Sequence, residues 1–466
     1  TLKALDVGST KDYGTVSLIV MISSFSSMFY LGVHNSLFRY FFKYKDDIEK
    51  LKMMLSTNIV FVFIVSVFYS ILLVLVFPLL NTFFFKDGIS IIWVMVSFFT
   101  FALQYVNLIN QSFIQNSHEG KRWLFNEMVY TAIQVTLMII LVTTRTFTFE
   151  ALILAPFVAE TVKFLMLITQ QKKYYGLAFN FDYLKESFAY SWPLVPTTLI
   201  GFVYSYFDRI MLSNMYGLAQ VGILDMSSRI GLILKMSIDG IAGATSPLTI
   251  DLLKENSKTS LKRLAEINLK IIFAVFLTAL SAMLFTKEVV LLLTTKPFHS
   301  VIFITPIYLY YHIFGVLGML SYWLIYYQPQ KTYYAIPLNL LFLCLSTVSN
   351  VILIPRYGTS GAVFAVFISA AISQTIQFII GLKSTPIPMD LRKVGMMFCM
   401  MFLMTGGLYL LLYLDLDLWM DIALKIAMLL LFVHISTISN VVSYKEMGEV
   451  FFDLKNKLYV KIFGEH

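Results

Sequence analysis

The sequence predicts an all-α integral membrane protein. The expected plan is two six-helix pseudo-repeated lobes plus two C-terminal helices, fourteen in all, with the first truncated in this chain. Three observations carry this reading. Apolar residues make up 58% of the 466 and charged residues 13%, against roughly 45–50% and about 25% in soluble domains. The apolar residues gather in runs of about 20, the length that crosses a hydrocarbon core of about 30 Å. The runs also recur at a fixed offset. This composition excludes a soluble enzyme, a secreted disulfide scaffold, a disordered chain and a nucleic-acid partner. Cys344 and Cys399 both lie in apolar runs, which leaves no disulfide framework and no metal cluster.

Thirteen spans follow in order: 14–35, 54–80, 89–113, 124–144, 150–170, 192–212, 220–247, 268–286, 301–327, 332–354, 359–382, 394–414 and 419–441. Leu, Ile, Phe, Met and Val fill them without strand alternation, so they are helices rather than barrel strands. The connections are short, and none has room for a catalytic domain.

Lys and Arg set the orientation. The loops 36–53, 114–123, 171–191, 248–267, 328–331 and 383–393, with the tail 442–466, carry 22 of the 35 basic residues. The alternate loops carry 7, and six lie inside spans. The basic side is cytoplasmic, so the C-terminus of this multi-pass protein is expected in the cytoplasm. The net charge of +8 reflects this loop bias.

Adding about 208 to each of the first five spans lands it on a later one, in hydropathy spacing more than in letters. Such a repeat is the mark of transporter halves. The span 192–212 maps back to roughly −16 to 4, so a helix upstream of Thr1 is expected, with residues 1–5 as its end. The expected divisions are 1–170 for the N-terminal lobe, 171–191 for a cytoplasmic linker and 192–382 for the C-terminal lobe. Residues 383–441 form two extra helices and 442–466 a tail. Two such lobes favour alternating access around a central cavity.

An ionisable residue inside a span costs a few kcal/mol, about 2.5–3.5 on insertion scales, and needs a reason. Asp225, Arg229, Lys235 and Asp239 share span 220–247. At 100° per residue they fall on one arc of about 120° and form a stripe about 21 Å tall. One reading is a cavity wall whose cations, Arg229 and Lys235, hold an anionic headgroup. The other is that Asp225 with Arg229, and Lys235 with Asp239, are i,i+4 pairs neutralised against a neighbouring helix. Asp208 and Arg209 close span 192–212, either as a charged gate or substrate contact or as a pair fixing the helix end. Arg39 follows the first span on the cytoplasmic side, as an inner-portal phosphate contact or as a snorkelling topology charge. Glu160 and Lys163 are i,i+3 partners, with Glu160 a candidate for coupling. Lys425 has Asp421 four residues earlier and reads as structural. No phosphate-binding loop, no zinc-spaced His–Glu cluster and no nucleophile elbow occurs, so catalysis has no visible equipment. No cofactor is expected.

Two segments carry a family resemblance. The first runs from Tyr190 through Pro193, Pro196, Asp208-Arg209, Gly217 and Val221-Gly222. The second is Ile354-Pro355-Arg356-Tyr357-Gly358-Thr359-Ser360-Gly361-Ala362. Asp12-Tyr13-Gly14, Leu31-Gly32 and Arg39-Tyr40 add a weaker third. Together they resemble the polysaccharide-transporter branch (Wzx-type O-antigen flippases) of the multidrug/oligosaccharidyl-lipid/polysaccharide (MOP) exporter superfamily. The family's Asp-Arg falls on Asp208-Arg209 and its Val-Gly on Val221-Gly222. One departure stands: the usual Gly-x-Tyr is here Gly222-Ile223-Leu224, followed by Asp225.

The resemblance implies a two-lobed flippase that moves an undecaprenyl-diphosphate-linked oligosaccharide, an O-antigen or capsule unit, from the cytoplasmic to the outer leaflet. The headgroup would pass through a cationic central cavity. The implied drive is membrane potential or a cation gradient (H+ or Na+). The implied partners are the lipid-linked oligosaccharide, membrane lipids, a glycan polymerase and a chain-length regulator, with a place in lipopolysaccharide biosynthesis. Arg229, Arg209, Lys235 and Arg39 are the expected substrate contacts; Asp208, Asp225, Asp239 and Glu160 are the expected coupling or gating groups. The rival readings are a cation-coupled drug or metabolite antiporter, a lipid II flippase of the same superfamily and, more remotely, a membrane-embedded glycan polymerase.

Overall fold

The computed structural model describes residues 10–34, 36, 41, 43–44, 47–85, 88–117, 119–143, 149–174, 176, 178–192, 195–326, 334–414 and 416–443. Within them the chain is helical. The order is α1 (Thr10–Ser24), α2 (Ile48–Phe84), α3 (Ile91–Asn116), α4 (Gly120–Thr143), α5 (Phe149–Gln170), α6 (Phe181–Ser191), α7 (Val195–Tyr216) and α8 (Leu218–Glu255). There follow α9 (Lys258–Leu284), α10 (Thr286–Leu293), α11 (Val301–Tyr326), α12 (Ala335–Ser384), α13 (Leu391–Leu414) and α14 (Leu418–Ile438).

Local chemistry starts these helices. Asp47 caps α2 by accepting from Lys50 N, and Asn180 caps α6 by accepting from Asp182 N. Ser257 and Ser260 form a reciprocal capping box at α9, and Asp417 caps α14 through Trp419 N. Each cap satisfies a backbone donor that the first turn leaves without an intrahelical partner.

Every predicted span has a helix. Among the described residues, nine helices are long and apolar enough to cross a membrane. The helix α8, with its four charges, and α7, with Asp208-Arg209, fall outside that set.

Two spans differ in shape from expectation. The first, 14–35, stays α-helical only to Ser24, then tightens into a 3₁₀ turn, Phe25–Met28. Leu31 and Gly32 follow with φ of 50° and 67°. The hydroxyls of Ser23, Ser24 and Ser26 bond to carbonyls three or four residues back, which competes with regular helix geometry. The spans 332–354 and 359–382 are joined in α12 across a single non-helical residue, Gly358 (φ 56°, ψ −129°), three residues after Pro355. An L-residue reaches that conformation only under strain. Gly358→Ala is therefore expected to cost about 1–3 kcal/mol, read as a lower unfolding midpoint in detergent. Tyr216 braces the kink: its hydroxyl donates to Pro355 O at 2.9 Å.

The chain divides into two compact units. The first holds Thr1–Met226, Leu292–Phe298 and Ala335–Ala362; the second holds Ser227–Leu291, His299–Tyr334 and Val363–His466. In the first unit α5 packs on α3 and α4, and α3 packs on α1. Leu18, Ile19, Val94, Phe98 and Ile153 fill its core. In the second unit α9 is the central helix, against α11, α13 and α14. Aromatic stacks join its members: Phe273 with Phe432, Tyr310 with Phe402, and Phe314 with Phe398.

The linker 171–191 holds α6, which hydropathy did not mark because it is short and amphipathic. It docks on α2 through polar groups. Ser187 Oγ donates to Asn58 Oδ1 at 3.0 Å, and Asn180 N donates to Thr57 Oγ1 at 3.2 Å. Tyr44 OH donates to Glu186 at 2.7 Å, and Lys43 donates to the same carboxylate. The hydrogen bond to Glu186 raises the Lys43 ammonium above its ordinary value. Burial pushes the Glu186 carboxyl up, but its bonds from Lys43 and Tyr44 outweigh that and hold it below the usual carboxylate range.

Candidate functional site

The first unit gathers a buried charged cluster where α1, α7 and the first turns of α8 meet. Asp208 is 4% exposed and Asp225 8%. Arg209 lies between them. Its Nε donates to Ser17 Oγ at 3.2 Å and its Nη1 to Ser205 O at 2.8 Å. The same Nη1 stands 3.3 Å from Asp208 Oδ1, and Nη2 stands 3.6 Å from Asp225 Oδ1. Ser17 Oγ donates to Asp225 Oδ1 at 3.2 Å. The guanidinium also packs 5.8 Å from the centre of the Tyr206 ring. A planar fork with five N–H groups can serve all these acceptors at once; an ammonium cannot.

Two details were not legible in the sequence. The helix α7 continues to Tyr216, so Asp208 and Arg209 sit about two turns inside it rather than at its end. Asp225 meets Arg209 and Ser17, both from other helices. A serine in an apolar run carries no signal until its neighbour is known.

The four-charge stripe is divided by its surroundings. Asp225 is buried, whereas Arg229, Lys235 and Asp239 are exposed. Lys235 and Asp239 form the expected i,i+4 pair. Leu232, Ile233 and Met236 are exposed beside them, at 52%, 66% and 74%. The face is thus mixed: apolar surface with an arginine, a lysine and a carboxylate set into it.

Glu160 and Lys163 are both buried, at 3% and 6%, but their closest partners are not each other. Lys163 Nζ bonds Glu127 Oε1 on α4 at 2.8 Å. Asn107 Nδ2 on α3 donates to Glu160 Oε2 at 2.7 Å. Gln111 also donates to Glu127. The i,i+3 spacing suggested a self-contained pair; the buried interior instead links three helices. Among the described residues, Asn107 Oδ1 and both polar atoms of the Asn110 amide are buried without a hydrogen-bond partner.

In the second unit Lys425 is fully buried. It bonds Asp421 Oδ2 at 3.0 Å, as the spacing predicted, and Glu288 of α10 as well. Lys287 Nζ stands 3.6 Å from the same Asp421 oxygen. The Lys287-Glu288 step lies in a loop on the sequence map, 137 residues from Lys425, so only the fold brings them together. Arg39 lies outside the described residues. Among the described residues no group of three or more His, Cys, Asp or Glu side chains is placed to hold a metal ion.

With the architecture in view, solved structures share its fold. The lipid II flippase MurJ in an inward closed conformation superimposes with a TM-score of 0.69 at 14% identity, covering 94% of this chain and 95% of that one. An inward-facing multidrug-resistance MATE transporter of the MOP superfamily gives 0.62 at 14% identity, over 79% and 88%. A MOP-superfamily transporter from Pyrococcus furiosus, with a binding pocket of reverse polarity, gives 0.57 at 15%, over 79% and 86%. The fold is that of MOP-superfamily membrane transporters. Residues 9–303, more than half of the chain, match the family described as polysaccharide biosynthesis protein, and the chain belongs to that family. No curated protein matches it.

Proposed function

We propose that the protein is a flippase for a polyprenyl-diphosphate-linked oligosaccharide, carried from the cytoplasmic to the outer leaflet by alternating access. The observation that carries this reading is the exposed Arg229 and Lys235 on α8, in a chain of the polysaccharide biosynthesis family. An arginine exposed along a membrane-crossing helix is costly against acyl chains. Against water and a diphosphate it forms paired charge-assisted hydrogen bonds. A sugar diphosphate has hydroxyls and about two negative charges, and it needs such a wet, cationic path because hydrocarbon offers it no partners.

The proposed orientation puts the basic loops and the C-terminus in the cytoplasm of a bacterial inner membrane. Glu160, with Glu127, Asn107 and Lys163, is the proposed coupling group for a monovalent cation, since two carboxylates there face one lysine. Asp208 and Asp225 are proposed to gate through Arg209, and Asp239 to tune Lys235. Lipid II is kept as a second cargo class, because the lipid II flippase shares this fold over nearly the whole chain.

A ligand bound by the folded state raises its stability, by about 2.7 kcal/mol at a hundred times the dissociation constant. Lipid-linked oligosaccharide is therefore expected to raise the unfolding midpoint of the purified protein, and less so in Arg229→Ala/Lys235→Ala. A shift with an organic cation, and none with the oligosaccharide lipid, would move the protein to the antiporter class.

A further inference from the structure

The repeat offset reappears as atomic contact. A Cβ placed on Gly14 would stand 1.8 Å from Leu218 O, and a Cβ placed on Gly222 would stand 1.8 Å from Thr10 O. Leu218 comes 208 positions after Thr10, and Gly222 comes 208 after Gly14. Each glycine of one repeat therefore touches the counterpart of the residue that its own counterpart touches. That reciprocity is the mark of an interface built on a two-fold axis. Ser17 and Asp225 are also 208 apart and hydrogen-bonded to each other. A residue that meets its own counterpart lies on the axis itself. All six residues belong to one compact unit, so the crossing is an internal contact of that unit.

The chemistry of this contact is specific. At Gly14 and Gly222 the two backbones approach so closely that any side chain would push them apart. One turn further along, the contact is polar: Ser17, Asp225 and Arg209 hold it with hydrogen bonds and charge. Apolar contact adds to it, since Leu218 of α8 packs on the cluster that holds Leu18 and Ile19 of α1, and on parting the polar groups can turn to water. A sugar-diphosphate headgroup cannot pass where two backbones touch.

We propose that the Gly14–Gly222 crossing is the outer seal of the translocation path. It is closed by backbone contact that only glycine permits, latched by Ser17, Asp225 and Arg209, and parted each time a headgroup is released. The proposal rests on the transport reading and on the proposed orientation, which places Thr10–Gly14 and Leu218–Gly222 at the outer ends of α1 and α8.

The test reads access rather than cargo. In a Cys344→Ser/Cys399→Ser background, Ser24→Cys reports from ten residues further along α1, where the native serine is buried. In proteoliposomes an impermeant maleimide added on the outer face is expected to label it slowly. Gly14→Ala should raise the labelling rate at least tenfold, Gly222→Ala should do the same, and the double variant should do no more than either, because one Cβ already parts the pair. Gly406→Ala, where a Cβ meets nothing, should leave the rate unchanged.

A second arm avoids the glycines. Lys11 and Ala219 line one cavity of about 290 Å³ beside the crossing. In Lys11→Cys/Ala219→Cys a bifunctional thiol reagent should stop translocation of lipid-linked oligosaccharide, and release of the tether should restore it. Unchanged labelling in both glycine variants, an effect of only one of them, or translocation that continues under the tether overturns the seal. Labelling that follows the expected pattern, with no lipid-linked oligosaccharide moved by the untethered protein, overturns the cargo reading and leaves the seal standing.

Discussion

Replacing Lys425 with methionine is expected to lower the stability of the protein by about 3 kcal/mol, read as a fall in the unfolding free energy in detergent. Lys425 is fully buried and bonds Asp421 and Glu288. Removing one partner of a buried ion pair leaves the opposite charges in a medium that solvates them poorly, which costs about 3–5 kcal/mol. Lys287, 3.6 Å from Asp421, offsets part of this and sets the lower end of that range. The loss should be repaid in the triple variant Lys425→Met/Glu288→Gln/Asp421→Asn, which removes the stranded charges. The cluster ties α14 to α10, so proteolysis should reach α14 first in the single variant. A change below about 1 kcal/mol would mean that water reaches Lys425 in the folded protein.

Arg209→Ala is expected to reduce translocation at least tenfold while the protein still folds, and Arg209→Lys should rescue little of it. The guanidinium is shared by Ser17, Ser205, Asp208 and Asp225. Alanine takes away the cation that the two carboxylates share. Lysine restores the charge but not the fork, and its ammonium cannot reach acceptors on α1, α7 and α8 together. The paired readout is the translocation rate and the unfolding midpoint. Wild-type transport by Arg209→Lys would show that charge alone suffices and that the geometry of the cluster does no work in the cycle.

The architecture was legible because lipid imposes one rule on every span. Backbone groups must be satisfied within the helix, so twenty apolar residues mean one crossing. Most of the thirteen spans follow from that rule: among the described residues nine helices are long and apolar enough to meet it. The amphipathic α6 escaped it, because a helix lying across α2 needs no long apolar run. The early end of α1 escaped too, because serines read as tolerable in an apolar segment until their hydroxyls are seen bonding to carbonyls.

The charged residues were legible as exceptions, but their partners were not. Asp421 with Lys425 and Lys235 with Asp239 lie on one helix, and spacing gave both. Arg209 with Ser17, Lys163 with Glu127 and Lys425 with Glu288 join different helices, and hydropathy carries no register between helices. Gly14 and Gly222 are legible in the sequence only as letters of the family pattern, with nothing to pair them. Their repeat-related positions are pressed together by the packing of α1 on α8, which no single segment encodes.

The central claim is that this chain carries a sugar headgroup on a polyprenyl diphosphate between leaflets. The direct measurement places a labelled oligosaccharide lipid in sealed vesicles and follows the fraction open to an impermeant glycan-modifying reagent, with and without the reconstituted protein. In protein-containing vesicles the accessible fraction should climb until the whole pool reacts, and Arg229→Ala should slow the climb. In protein-free vesicles it should stop once the exposed leaflet is consumed. Identical time courses in the two kinds of vesicle would contradict the account.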